Sequence, residues 1–463
     1  MRKRTPFRRP LLVAAAAAGA AALVIAGGAP PAAAAGGPAR FDASALEPLF
    51  DGKTLDGFVT RGGRYDGDAV WTVEDGAIVG REGRDHAGGL LYTERPYQSF
   101  LLSLEAKVDF PFDSGIFLRM SPRGRGAQVT IDNHPTGEIG AIYSDEFLAH
   151  NETARTKLFR QGEWNRFEVR CTGLDMRIEA WLNGEKIADT SVPRGSAGFA
   201  PAGLIGLQVH GGRDDPEGAA ARFRDIRVKE LPLFDLDLFE CDDAGALSPT
   251  PKARSEGWTP LFDGKALAGF ETTGDPDGYR VRDSMLVFPK KGSDAYVRTA
   301  EDFRDFSLRL DFKISRMANS GLFLRGDRNG GNPAYTGCEV QILDDFNWER
   351  VTGSKLEPWQ FTGSLYAAVP PADRGAMNPI GMWNTIEVTY RGSRIATRLN
   401  GRLLYDVDTF AVEASPPFSK RVPRGFIGLQ RHAPPEVEGE EYAWFRNIWV
   451  KRLPDQKEAK SGE

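Results

Sequence analysis

Phe306-Ser307-Leu308-Arg309-Leu310-Asp311-Phe312-Lys313-Ile314 alternates apolar and polar residues without a break. A period of two marks an antiparallel β-strand with one face in a core and the other in water. The same pattern recurs upstream, where Phe100, Leu102, Leu104, Ala106, Val108 and Phe110 alternate with Leu101, Ser103, Glu105, Lys107 and Asp109. Asn183-Gly184 and Asn400-Gly401 each sit between apolar runs, the signal of a type I′ hairpin, whose central residues need φ > 0. No sustained helical period competes with these strands. With 52 Gly and 30 Pro in 463 residues, the composition suits many short strands joined by turns and not a helical bundle.

These strands occur twice. Leu49-Phe50-Asp51-Gly52-Lys53 returns as Leu261-Phe262-Asp263-Gly264-Lys265, and Ser114-Gly115-Ile116-Phe117-Leu118-Arg119 as Ser320-Gly321-Leu322-Phe323-Leu324-Arg325. Trp164-Asn165 returns as Trp383-Asn384, and Leu182-Asn183-Gly184 as Leu399-Asn400-Gly401. Ile205-Gly206-Leu207-Gln208-Val209-His210 matches Ile427-Gly428-Leu429-Gln430-Arg431-His432, and Phe223-Arg224-Asp225-Ile226 matches Phe445-Arg446-Asn447-Ile448. Matches in one order mean two homologous domains, at 44–232 and 257–453. A domain of this size with so many strands is a sandwich or barrel, best read as a jelly-roll-like β-sandwich. Residues 233–256, with Pro249, Pro251 and the acidic stretch from Asp235 to Asp243, read as a linker, and 454–463 as a disordered tail.

Residues 1–35 read as a signal peptide: a basic head (Arg2, Lys3, Arg4, Arg8, Arg9), an Ala-rich apolar run from Leu11 to Gly28, and Ala33-Ala34-Ala35 as a cleavage site. An uncleaved anchor is the alternative, since the run approaches spanning length. Cleavage gives a secreted or periplasmic protein with no stable membrane span. It removes five basic and no acidic residues, moving the formal charge from −5 to −10. That balance, without a basic block, argues against a nucleic-acid partner. Cys171, Cys241 and Cys338 are too few for a disulfide scaffold and lack zinc-site spacing; two of them pair or all three are buried thiols.

Alternation also sorts the polar side chains by face. With Leu322 and Leu324 in the core, Phe323 and Arg325 point outward. With Val340 and Ile342 inside, Glu339 and Gln341 point out, and with Ile427 and Leu429 inside, so do Gln430 and His432. An Arg, a Glu, two Gln and a His on one outer face suit a polyhydroxylated ligand and an acid–base step. The plainer alternative is a solvated face with an Arg325–Glu339 cross-strand ion pair.

At these motifs the chain resembles the 3-keto-disaccharide hydrolase domain family, formerly domain of unknown function 1080. The likeness is carried by the Leu-Phe-Asp-Gly-Lys opening, Val73-Glu74-Asp75-Gly76, the Ser-Gly-x-Phe-Leu-Arg strand, Glu339-Val340-Gln341-Ile342-Leu343-Asp344 and Thr362-Gly363-Ser364-Leu365-Tyr366. The Trp-Asn, Asn-Gly, Ile-Gly-Leu-Gln-x-His and Phe-Arg-Asn-Ile motifs complete it, spanning both repeats. The resemblance implies two tandem concanavalin A-like lectin/glucanase sandwiches, an exported bacterial protein and a sugar or glycoside substrate. It also implies cleavage of 3-keto-glycosides: a base removes the C2 proton acidified by the C3 ketone, the aglycone leaves C1, and water adds. Under it, His432 and Glu339 are the base or acid pair, in either order. Arg325 is the electrophilic donor, Asp344 a further base or metal ligand, and Gln341, Gln430 and Phe323 bind substrate. No cofactor is implied with certainty; a divalent cation held by carboxylates and carbonyls leaves no sequence signature.

The repeats differ. Glu339, Gln341 and Asp344 align with Gln128, Thr130 and Asn133, so the first repeat keeps the substrate-binding candidates Arg119, Gln208 and His210 without those carboxylates. It also holds His86, His134 and His150 and a polar segment running from His134 to His150, which reads as a degenerate sugar-binding site, a scaffold or a variant site. Two other classes compete. A retaining glycosidase would use Glu339 and Asp344 as carboxylates about 5–5.5 Å apart. A non-catalytic carbohydrate-binding protein would stack sugars on Trp348, Trp359 and Trp383.

Overall fold

The alternating segments form antiparallel sheets in a computed structural model that describes residues 39–121, 124–151, 154–212, 215–289, 293–432 and 441–454. The expected signal peptide, and the expected tail beyond its first residue, lie outside those residues. In the first half an eight-stranded sheet runs in the order Glu185–Ser191, Arg177–Leu182, Asn165–Thr172, Ser99–Val108, Ala221–Leu231, Ala77–Arg81, Val70–Glu74, with Glu47–Pro48 also on Ala221–Leu231. Facing it is a seven-stranded sheet: Phe147–Ala149, Ile139–Tyr143, Ala127–Asp132, Asp113–Met120, Leu204–Val209, Gly89–Thr93, Phe58–Val59. The second half repeats the plan. Its eight-stranded sheet is Arg280–Arg282, Met285–Pro289, Glu441–Arg452, Phe306–Ile314, Asn384–Arg391, Arg394–Leu399, Arg402–Asp408, with Trp258–Pro260 on Glu441–Arg452. Its smaller sheet has five strands: Phe270–Gly274, Ala295–Thr299, Phe426–Arg431, Asn319–Gly326, Cys338–Leu343. The fold is two tandem jelly-roll β-sandwiches of concanavalin A-like type, each with its own apolar core between its sheets.

Most of the repeated motifs build this frame. Asn183 and Asn400 take φ of +51°, with Gly184 and Gly401 at +89° and +77°, as type I′ turns require. Each turn Asn donates to the Asn of the Trp-Asn pair, Asn183 to Asn165 at 3.0 Å and Asn400 to Asn384 at 2.8 Å, which ties hairpin tip to strand start. Asp51 and Asp263 accept from the amides of Lys53 and Lys265 at 2.7 and 2.8 Å, closing the turn of the opening motif, while Phe50 and Phe262 enter the cores.

Two expectations change. The outer face of Phe306–Ile314 is not solvated: Arg309 and Asp311 are buried and paired at 2.7 Å. Burying a charge requires such a partner. What covers them is the segment read as a linker, which folds into a hairpin of Phe239–Cys241 with Leu247–Pro249 and a helical turn at Pro251–Ser255. Arg309 donates to Leu233 O at 2.7 Å and Asn447 to Gly245 O at 3.1 Å. Phe234, Phe239 and Leu247 then share one apolar cluster with Leu101, Trp181 and Leu231 of the first sandwich and Trp449 of the second. The two sandwiches and the connector accordingly form one compact unit. Cys171, Cys241 and Cys338 are buried free thiols. No helix among the described residues is long and apolar enough to cross a membrane.

Candidate functional site

Strand register assembles the outer face of the five-stranded sheet. Tyr296, Gln430, Gly321 and Gln341 lie in one row across four strands. Two residues along, Arg298, Gly428, Phe323 and Glu339 form the next. On the other side His432 donates its amide to Asn319 O at 3.3 Å, beginning a third. The sequence thus placed Phe323, Glu339, Gln341, Gln430 and His432 correctly on one face.

Glu339 is the chemically unusual group. It is 4% exposed, and burial pushes its carboxyl up to about 8. The carboxyl leans along the sheet over Gly321: a β-carbon there would sit 1.9 Å from Glu339 Oε1. Around it Phe323, Ala334 and Phe426 pack with Tyr296, Tyr335 and Tyr366 into an apolar nest.

Tyr366 is a residue that sequence reasoning passed over, although its motif was legible. The 361–366 segment lies along Cys338–Leu343 as an extra edge. Gly363 N donates to Gln341 O at 2.8 Å, Gln341 N to Ser364 O at 3.1 Å, and Tyr366 N to Glu339 O at 2.9 Å. Thr362 pins the segment through Leu343 O at 2.7 Å and the carboxylate of Asp345. Asp345 itself is pushed up to about 7 by burial, but its oxygens are engaged by Thr362. Tyr335 and Trp359 meet the Tyr366 ring edge-on, at 6.4 and 5.1 Å between centroids.

His432 stands one row beyond Gly321, about 7 Å along the strand at the usual rise. Its imidazole is half exposed, with Nδ1 3.8 Å from Asp294. A hollow of about 280 Å³ between Tyr296, Phe323, Asn332, Gln430 and His432 opens on this face. Gln341 turns its carboxamide oxygen back to the Ile342 amide at 3.0 Å, leaving its NH2 as the group to offer a ligand.

Several expectations are corrected here. Arg325 does not share the face. A bulge between Phe323 and Gly326, with Arg325 at φ +53°, turns its side chain inward. There its guanidinium donates to Arg304 O, Gly392 O and Asp305 at 2.6, 2.8 and 3.1 Å and lies over the Tyr390 ring. Arg119 repeats this at φ +49°, fully buried and donating to Gly173 O at 2.9 Å. Both are clamps between sheets, not substrate contacts. Asp344 is likewise structural: it caps the helix Asp345–Thr352, accepting from Asn347 N at 3.1 Å and from Met317 N at 2.8 Å. With amide donors on both oxygens it does not suit a cation. Among the described residues no three His, Cys, Asp or Glu side chains gather as a metal site. The carboxylate pair of a retaining glycosidase is therefore not assembled from Glu339 and Asp344. Trp383 is also away from this face, against Lys313 and Arg446 on the larger sheet, and Trp348 packs with Leu343, Leu356 and Phe361.

In the first sandwich the equivalent face carries a larger cleft, of about 700 Å³. Gln128 takes the place of Glu339, lying over Gly115 and donating to Gln208 Oε1 at 2.5 Å. His210 lines the cleft, as does Asp113. Of the other histidines, His134 bridges Asp132 and Asp215 at 2.8 and 2.7 Å, and His150 meets Glu138 at 2.8 Å.

Comparison with known proteins finds relatives in sequence and in structure. A 3-keto-disaccharide hydrolase of Bacteroides thetaiotaomicron is 27% identical over 239 residues, 43% of this chain and 79% of that protein. A putative glycosyl hydrolase of Parabacteroides distasonis, solved by crystallography, is 26% identical over 45% of this chain and 99% of its own, with a TM-score of 0.39. The carbohydrate-binding module CBM66 of Bacillus subtilis is 15% identical, covering 38% of this chain and 96% of its own, with a TM-score of 0.28. The family model of the 3-keto-alpha-glucoside-1,2-lyase-like domain matches residues 45–229 and again 257–451. Each sandwich is one copy of that domain, and the chain belongs to the 3-keto-alpha-glucoside-1,2-lyase-like family.

Proposed function

We propose that this chain cleaves 3-keto-glycosides by elimination and hydration, and that Glu339 in the second sandwich is the base. The observation that carries this reading is a carboxyl buried beside aromatic rings and pushed up to about 8, on the sheet face where the hollow between Phe323, Gln430 and His432 opens. A base works best when its pKa lies near the operating pH, and the C2 proton of a 3-keto sugar is acidic enough for such a group. Ionised Glu339 takes that proton. The electron pair forms the C1–C2 double bond, and the C1–oxygen bond breaks toward the aglycone. The leaving oxygen, on the adjacent C1, needs a proton, and His432, one row beyond Gly321, is the donor. Gln430 and the NH2 of Gln341 hold ring hydroxyls, and Phe323 and Tyr296 pack on the sugar. Water then adds its hydroxide at C1 and leaves its proton on His432, while the C2 proton returns from Glu339, so the net reaction is hydrolysis. Membership of the family and the named relative support the substrate class. The basic head and Ala-rich run of residues 1–35, read as a leader, support export.

The test is turnover of a 3-keto-glucoside with a chromogenic aglycone, beside the unoxidised glucoside. Release from the keto compound alone, lowered in Glu339→Gln, is the expected result. Release from the ordinary glucoside would replace the reading with direct glycoside hydrolysis. Binding without release from either would make the protein a sugar-binding module.

A further inference from the structure

The two sandwiches carry their acids at opposite ends of the same face. The second has Glu339 in the row of Phe323, and Asn319 in the row of His432. In the first, the equivalent of Glu339 is Gln128, paired with Phe117, and the equivalent of Asn319 is Asp113. The carboxylate lost from one position is present at the other. Asp113 is 7% exposed, accepts the His210 amide at its carbonyl at 3.2 Å, and holds Oδ2 3.9 Å from His210 Nε2. Both side chains line the cleft of about 700 Å³, more than twice the volume of the hollow beside His432.

The cleft has aromatic walls and a polar floor. Tyr65 and Phe117, 5.6 Å apart, make one apolar wall, and Phe147, 44% exposed, makes another. Its floor carries the Gln128–Gln208 carboxamide pair, whose free lone pairs and N–H groups suit hydroxyls. Flat rings beside a carboxamide floor are the surface a neutral sugar needs, with C–H faces on the aromatics and hydroxyls on the amides.

We propose that the first sandwich is a second active site for the same class of 3-keto-pyranosides, with proton transfer moved from the Glu339 position to the Asp113–His210 pair. This rests on the function proposed above. The balance is the same. One member of the pair takes the C2 proton, and the electron pair forms the C1–C2 double bond as the C1–oxygen bond breaks. The other protonates the departing oxygen, and water then adds across C1 and C2. Because the acid lies at the other end of the face, the ring sits in the reverse sense, with C2 toward His210.

The test uses the full-length chain and the chromogenic 3-keto-glucoside. Glu339→Gln should keep turnover well above background. Adding Asp113→Asn, which installs the residue of the second sandwich, should lower what remains by about 10²-fold or more, the usual contribution of one acid–base group. His210→Ala, at a half-exposed position, should do the same. Circular dichroism and melting temperature equal to those of Glu339→Gln would establish that these variants are folded. The inference is overturned if the wild type turns over while Glu339→Gln falls to background. Retention of the residual activity in both double variants also overturns it. A wild type silent on the keto substrate removes the function reading and this inference together, a result distinct from both.

Discussion

Glu339 Oε1 occupies the space that a side chain on Gly321 would need: a β-carbon there would be 1.9 Å away. The glycine of the repeated Ser-Gly-x-Phe-Leu-Arg strand is thus a seat for a functional group on the neighbouring strand. In the first sandwich the seat at Gly115 is filled by Gln128 Nε2, 2.0 Å from the same hypothetical carbon.

Gly321→Ala should therefore act on Glu339 before it acts on the fold. The displaced atom is the tip of a flexible side chain, and Gly321 does not adopt positive φ, so the backbone tolerates alanine. We expect a stability change below about 1.5 kcal/mol, within the range of small core overpacking. Activity of the second site should fall about 10²-fold or more, as for loss of a general base. Thermal melts beside steady-state kinetics check this. A destabilised variant of undiminished activity would refute it.

The raised pKa of Glu339 makes stability depend on pH with a definite sign. Its ordinary value is 4.5, and in the fold it is about 8. Between those values the unfolded chain has released a proton that the folded chain retains, so folding loses stability as pH rises. The contribution is fully present below about pH 4.5 and declines up to about pH 8, at about 1.4 kcal/mol per unit, for roughly 5 kcal/mol in all. Glu339→Gln keeps the shape and removes the ionisation. Its melting temperature, compared with that of the wild type from pH 5 to 9, should gain on the wild type as pH rises. Activity should move the opposite way, because the base must be ionised: kcat/KM of the second-sandwich site, read in Asp113→Asn, should climb with a midpoint near pH 8. Parallel melting curves for the two proteins would exclude the assignment.

Arg325→Leu separates a clamp from a catalyst. Asp305 is buried and faces the guanidinium at 3.1 Å, with the Gly392 amide also donating to it at 2.8 Å, so removing the cation leaves a buried carboxylate without its counter-charge on Arg325. Breaking a buried pair by removing one partner costs about 3–5 kcal/mol. The denaturation midpoint should drop accordingly, while kcat/KM per folded molecule stays at the wild-type value. A loss of kcat in the folded fraction would return Arg325 to the reaction.

This contrast marks where the sequence stopped being legible. Period two assigned Glu339, Gln341, Gln430 and His432 to the outer face because their strands keep register through those positions. It failed at Arg325 and Arg119, where a single left-handed residue inserts a bulge and reverses the facing of the side chain. It failed differently at Asp344, whose strand has ended; there the carboxylate reads as a helix cap only once the helix from Asp345 is recognised, and eight residues with little apolar period do not announce one. The covered polar face of Arg309 and Asp311 was beyond reach because alternation reports which residues share a face and not what lies on it. Asp113 was legible as a letter, yet its meaning needed the register that sets it beside His210.

The last prediction concerns the folded connector. Phe239 is buried with its ring 5.3 Å from Trp449 and 5.7 Å from Trp258, both of the second sandwich, while its cluster continues into Leu101 and Trp181 of the first. The connector hairpin therefore lies at the centre of an apolar contact that joins the sandwiches. Calorimetry of the wild type should show one cooperative unfolding transition, because neither sandwich melts without exposing this cluster. Phe239→Ala removes a ring at its centre, a change that costs about 3–5 kcal/mol in a packed core. The transition should then split in two, each half keeping its own core. Two transitions already present in the wild type, or a variant that still melts as one unit, would show that the halves are coupled by something other than this hairpin.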